Sequence, residues 1–115
     1  MKYILAHDLG TSGNKATLFS ESGALVASEV YSYGCHYFHE IWAEQDPESI
    51  YRAFVRNMHD IFTKSGVSPE DITAMAFDGG THIAVLLDEN DRVIRPAIYW
   101  SDTRSARQAE SLAPW

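Results

Sequence analysis

An α/β fold is what this 115-residue chain predicts, on three observations. Short apolar runs joined by tight turns open the chain. One long amphipathic segment with a strong start signal follows. Directly after it comes a run that is apolar on both faces, as in a central strand covered on two sides. The length is near the roughly 100 to 150 residues of a typical domain, so one domain with a real core is expected.

Residues 2–8, 15–20 and 24–33 are predicted to form a three-stranded meander. Tyr3-Ile4-Leu5-Ala6 reads as a buried strand, Ala16-Thr17-Leu18-Phe19 as its neighbour, and Leu25 to Tyr31 supplies the β-branched and aromatic residues of a third. The joining turns are too short for anything but antiparallel pairing. The first turn, Asp8-Leu9-Gly10-Thr11-Ser12-Gly13-Asn14-Lys15, carries the chemistry. Gly10 and Gly13 allow close backbone approach to a ligand. Successive amides with the Thr11 and Ser12 hydroxyls make a concave anion site, Asp8 is placed to hold a magnesium ion through its waters, and Lys15 supplies a cation. Neither the P-loop spacing nor the dinucleotide fingerprint fits, because a strand follows where both need a helix. From these eight residues alone, an ordinary hairpin turn stands equally open.

Residues 34–45 show no clean period and are read as a loop. Cys35, His36 and His39 lie close together there, but no second cluster completes a tetrahedral metal set. Asp46-Pro47-Glu48 is a helix start, with Asp46 as N-cap and Pro47 at the first helical position. Ile50, Tyr51, Phe54, Val55, Met58, Ile61 and Phe62 then form one apolar face up to a stop at Gly66. His59 is read as a residue on the helix surface. Ser68-Pro69-Glu70-Asp71 reads as one capped turn before the strand 72–77, which ends in Asp78-Gly79-Gly80-Thr81-His82. Glycines and polar residues at the end of such a strand mark where ligands sit in open α/β sheets. A hairpin over 83–88 and 93–100 and a helix through Ala106, Ala109 and Leu112 complete the prediction.

The formal net charge of −7 argues against a nucleic-acid or anionic-membrane surface. The single cysteine rules out an intramolecular disulfide and fits a reducing compartment. The first residues hold too short an apolar run for a signal peptide, and no run approaches the ~18 apolar residues of a membrane span. A cytoplasmic location is expected.

Four segments in order make the chain resemble the FGGY family of carbohydrate kinases, and its xylulokinase-like members in particular. They are Asp8-Leu9-Gly10-Thr11-Ser12 with Lys15; Trp42-Ala43-Glu44-Gln45-Asp46-Pro47; Gly79 and His82 ahead of Leu86-Leu87-Asp88; and Arg95-Pro96-Ala97-Ile98-Tyr99-Trp100 with Asp102 and Arg104. The second and fourth set it apart from chaperone-type ATPases that share the phosphate turn. The resemblance implies a ribonuclease H-like (actin-like ATPase) fold, a mixed sheet with helices packed on it. It also implies ATP with Mg2+ bound between two large domains, of which residues 1–115 are part of the N-terminal one.

By the same resemblance, Asp8 is metal-associated, Gly10, Thr11, Ser12 and Lys15 contact the ATP phosphates, and Thr81, His82, Asp102 and Arg104 lie at the sugar. The family loop usually reads Gly-Gln-Met-His-Gly, which Gly79-Gly80-Thr81-His82-Ile83 matches only at Gly79 and His82. The implied reaction moves the γ-phosphoryl of ATP to a sugar hydroxyl of xylulose or a related ketose or polyol, a carboxylate accepting the proton. That family aspartate lies beyond Trp115, and Asp78 does not align with it. The 115-residue chain alone is therefore expected to be inactive. Surface meant for a missing domain would make it self-associate or dimerise. The non-enzymatic alternative is a remnant that binds a sugar or partner without turnover.

Overall fold

A computed structural model of the chain describes residues 1–113. The chain divides into two compact units, one of Met1–Gly34 with Glu48–Gly80, the other of Cys35–Pro47 with the residues from Thr81 onward. Each unit is discontinuous in sequence. Length and composition carry no trace of this, because it is set by pairings between residues far apart in sequence.

In the first unit β1 (Tyr3–Leu9), β2 (Gly13–Ser20) and β3 (Leu25–Ser32) form the predicted meander. After α1 (Pro47–Ser65) and a 3-10 turn (Pro69–Asp71), β6 (Ile72–Gly79) adds parallel to β1, making a mixed sheet of order β3-β2-β1-β6. Alternation along the strands puts Leu5, His7, Asn14, Ala16 and Leu18 on the covered face, all of them buried. Leu5, Ala16 and Leu18 meet Ile61 of α1 in a core that Met58 and Phe62 extend. The helix begins at Pro47 and stops before Gly66, whose φ of 68° is the left-handed stop that glycine accepts without strain.

The helix face is shifted from the one its apolar residues suggest. Ala53, Asn57 and Ile61 form its buried line, while Tyr51 and Val55 stay exposed. An asparagine at the middle of that line hides it from an apolar count. The strand β6 also departs from expectation. It is an edge strand, and Thr73 through Asp78 are all exposed. Apolarity on both faces tells which side chains can be covered, not what covers them.

In the second unit, residues 34–45 are not a loop. They hold a hairpin of β4 (His36–Phe38) and β5 (Trp42–Gln45), and β5 pairs in turn with β7 (Ala97–Ile98). The hairpin turns on His39 and Glu40, with φ of 49° and 61°, where glycine or asparagine is the usual signal. The predicted arms 83–88 and 93–100 pair only at isolated bridges, Leu87 with Val93 and Ala84 with Ile98. Asp88 organises their turn by accepting from the amides of Asn90 and Arg92. A short helix, α2 (Ala106–Leu112), closes the described chain, as its spacing predicts. No helix among the described residues is long and apolar enough to cross a membrane.

Candidate functional site

The β1–β2 hairpin brings together five of the residues singled out in the sequence: Asp8, Gly10, Thr11, Ser12 and Lys15. The amide of Gly10 donates to the carbonyl of Gly13 at 3.0 Å, which closes the turn with Thr11 and Ser12 exposed at its tip. Space demands the glycine at position 13, whereas at position 10 a side chain would make only ordinary contacts. A Cβ on Gly13 would sit 2.8 Å from the Tyr31 carbonyl oxygen, and one on Gly10 would meet the Gly13 carbonyl at 3.4 Å. From the end of β3, Tyr33 ties the turn down twice. Its amide donates to Ser12 O at 3.0 Å and its hydroxyl to Gly10 O at 2.6 Å.

Asp8 is exposed and faces away from α1, with Lys15 opposite it on β2 and Asp78 opposite it on β6. Cross-strand neighbours share a face, so a carboxylate pair and an ammonium gather where β1 and β6 end. A shallow groove of about 220 Å³ lies on this side, lined by Asp8, Asp78, Thr17, Phe19 and Ala76 among others. The ends of β1 and β6 are pressed together. The Gly80 amide donates to Leu9 O at 3.1 Å, and a Cβ on Gly79 would lie 3.0 Å from that same oxygen. The carboxyl ends of parallel strands are the usual ligand position in such sheets.

This donor set fits a magnesium-associated phosphate. Asp8 offers a hard, exposed oxygen ligand, the hairpin offers amides and hydroxyls, and Lys15 offers the balancing charge. No group of three or more metal-ligating side chains occurs among the described residues, so an ion here would keep most of its waters and lean on the phosphates.

Beneath the hairpin, on the α1 side, lies a polar set that sequence reading missed. His7 Nδ1 meets the Asn14 side chain at 3.2–3.3 Å, and Asn57 Nδ2 donates to Asn14 O at 2.7 Å. Burial lowers the pKa of His7, and the bond to Asn14 only partly offsets this, so the ring is neutral at pH 7.

The remaining predicted residues lie in the second unit. Thr81 and His82 begin its second segment, both exposed, and His82 holds a left-handed φ of 59°. A non-glycine residue in that region costs about 1–2 kcal/mol and persists only where its surroundings impose it. Asp102 and Arg104 are committed to each other. Arg104 Nε and Nη2 donate to the Asp102 carboxylate at 2.9 and 2.6 Å, and the Ala43 amide donates to Asp102 Oδ2 at 2.7 Å. Arg104 also donates to Glu44 Oε1 at 2.8 Å and lies 3.9 Å over the Trp42 ring. Arg95 adds a second bond to Glu44 at 2.6 Å. The Arg104 hydrogen bonds hold the Asp102 carboxyl well below the usual carboxylate range. Trp42 and Glu44 were legible only as part of a motif. Their partnership with Arg104 spans about sixty residues of chain.

A mixed sheet with a helix packed on it and a glycine-cornered hairpin at its end define the class: the ribonuclease H-like, actin-like ATPase fold. The chain belongs to the FGGY family of carbohydrate kinases, whose N-terminal domain model matches residues 3–114. It is similar to the xylulose kinase of Escherichia coli (strain K12), 39% identical over 105 residues, 91% of this chain and 21% of that protein. The glycerol kinase of Trichodesmium erythraeum (strain IMS101) is 35% identical over 113 residues, 97% of this chain and 22% of that one. The crystal structure of a xyloylose kinase from Brucella ovis superimposes with a TM-score of 0.87 at 37% identity, covering 96% of this chain and 23% of that one. The chain thus spans about a fifth of the length of the curated relatives it matches.

Proposed function

We propose that residues 1–115 are part of the N-terminal domain of an ATP-dependent carbohydrate kinase that phosphorylates a hydroxyl of xylulose or a related ketose or polyol. The observation that supports it most is the hairpin itself. In a chain of this family, its exposed Asp8, its tip hydroxyls and Lys15 gather at the carboxyl end of a parallel strand pair. In this reading Gly10, Thr11 and Ser12 hold ATP phosphates and Asp8 holds the Mg2+ that offsets their charge. Thr81, His82, Asp102 and Arg104 serve the sugar side, the last two by shaping the wall rather than by free hydrogen-bonding groups. Positioning and charge stabilisation carry most of such a transfer. The carboxylate that takes the hydroxyl proton is not assigned to a residue of this chain, so the 115 residues alone are expected to be inactive. A cytoplasmic sugar kinase agrees with the single cysteine and the acidic balance.

The test is phosphorylation of a panel of ketoses and polyols, xylulose first, by the protein extended to its natural stop codon, beside the 115-residue chain. Turnover by the longer protein alone is expected. There, Asp8→Asn should lower kcat by about 100-fold or more, the scale of losing one electrostatic stabiliser of a transition state. Turnover by neither chain would sink the enzyme and leave a binding remnant.

A further inference from the structure

We propose that Asn57, acting through Asn14 and His7, is a positioning residue that sets the conformation of the phosphate hairpin. The inference rests on the phosphate role proposed above for that hairpin.

Asn57 sits at the centre of the α1 face that enters the core, 1% exposed, with Ala53 and Ile61 one turn to either side, both fully buried. A buried amide is costly unless its hydrogen bonds are made. Its Nδ2 is spent on one acceptor, the carbonyl of Asn14, at 2.7 Å. Asn14 is itself fully buried, and its side chain meets His7 Nδ1. His7 is 2% exposed, its Nε2 makes no hydrogen bond, and its ring is gripped by Phe54 at 4.8 Å and stacked on Phe77 at 5.4 Å.

Three polar side chains in a helix–sheet core are not needed for packing; leucine would fill each place with nothing to satisfy. Direction is what they add, because hydrogen bonds fix orientation and apolar contacts do not. Their placement shows what is oriented. His7 immediately precedes Asp8, and Asn14 immediately follows Gly13, so the hairpin segment hangs between the two. Strand alternation turns His7 and Asn14 toward α1 while Asp8 and Lys15 face the other side. The network grips both stems from beneath and leaves the ligand-facing groups clear.

The test uses the protein extended to its natural stop codon. Asn57→Asp keeps the shape and loses the donor, and Asn57→Leu replaces the amide with an apolar group and carries the same readouts should the first fail to fold. Without nucleotide, amide exchange at residues 9–15 should quicken about tenfold while α1 and the rest of the sheet hold, a local opening rather than a global one. KM for MgATP should rise about tenfold, the scale of one ordinary hydrogen bond, with KM for the sugar unchanged. Unaltered hairpin exchange and ATP KM would overturn the proposal. So would exchange that quickens evenly across the unit with both KM values unmoved, since that is a merely structural role. If MgATP does not slow exchange at the hairpin of the unsubstituted protein, the phosphate reading fails first, and the proposal with it.

Discussion

Replacing Asp102 discriminates between two jobs for one carboxylate. Its side chain is 1% exposed and accepts from the Ala43 amide, from the Arg104 amide at 3.0 Å and from the Arg104 guanidinium. Asp102→Ala strips the main counter-charge from an arginine that is itself 15% exposed and takes the acceptor from two backbone amides, those of Ala43 and Arg104. Breaking such a pair costs about 3–5 kcal/mol; with Glu44 still holding Arg104, about 4 kcal/mol is expected. Asp102→Asn keeps an acceptor for Ala43 and loses the charge, so about 2 kcal/mol is expected. Against a domain stability of about 5–15 kcal/mol both are large, and urea unfolding reads them as a lower midpoint at unchanged slope. The sign with pH follows. Because the folded carboxyl titrates well below its ordinary ~3.9, the unfolded chain binds the extra proton in acid. The contribution is therefore complete above about pH 5 and drains away as pH falls below the unfolded pKa, and Asp102→Asn should flatten that acid limb. A variant that loses less than about 1 kcal/mol while sugar KM rises steeply would refute the latch and make Asp102 a direct sugar contact.

Other substitutions probe the hairpin and its supports. Gly13→Ala drives a methyl to 2.8 Å from Tyr31 O, so about 1–3 kcal/mol should be lost in urea unfolding as the turn shifts. Tyr33→Phe removes the hydroxyl bond to Gly10 O, and about 1 kcal/mol should go, with faster amide exchange at residues 10–13. Gly66→Ala faces open space, yet its φ of 68° should still cost about 1 kcal/mol in thermal unfolding.

What sequence made legible was local. The meander was readable because its turns carry glycine and its strands carry β-branched residues. The start of α1 was readable because Asp46-Pro47 sits at the right offset. The hairpin of β4 and β5 escaped because His39 and Glu40 adopt left-handed backbone without the residues that announce it. The Asn57 bond to Asn14 crosses 43 residues, and the Asp102 bond to Ala43 crosses 59. Such pairings have no period to detect. For the candidate site the division is similar. The hairpin residues could be singled out because glycines and hydroxyls stand together in one short stretch, whereas the commitment of Asp102 and Arg104 to Trp42, Ala43 and Glu44 needed the fold.

The edge at β6 leads to a prediction about the 115-residue chain on its own. Ile72-Thr73-Ala74-Met75-Ala76-Phe77 is apolar almost throughout, and Met75 and Phe77 are 38% and 56% exposed. Natural edge strands discourage pairing with lysine, proline or a bulge; β6 is irregular only at its start, where Thr73 is skipped in the register with β1, it carries no lysine or proline, and its one charge, Asp78, comes at the end. The opposite edge, β3, carries Glu29 in an ion pair with Lys64, which is the kind of protection β6 lacks. A strand with this composition is suited to being an interior one, and on an isolated chain a second copy is the nearest source of cover. The chain alone should therefore dimerise or associate further through β6, with sedimentation showing mass that rises with concentration. Met75→Lys, which places a charge on the exposed strand without touching the core residues Leu5, Ala16, Leu18 and Ile61, should return it to a monomer. A monomer at the highest workable concentration, or association that Met75→Lys leaves intact, would show that the unpaired edge is not what drives it.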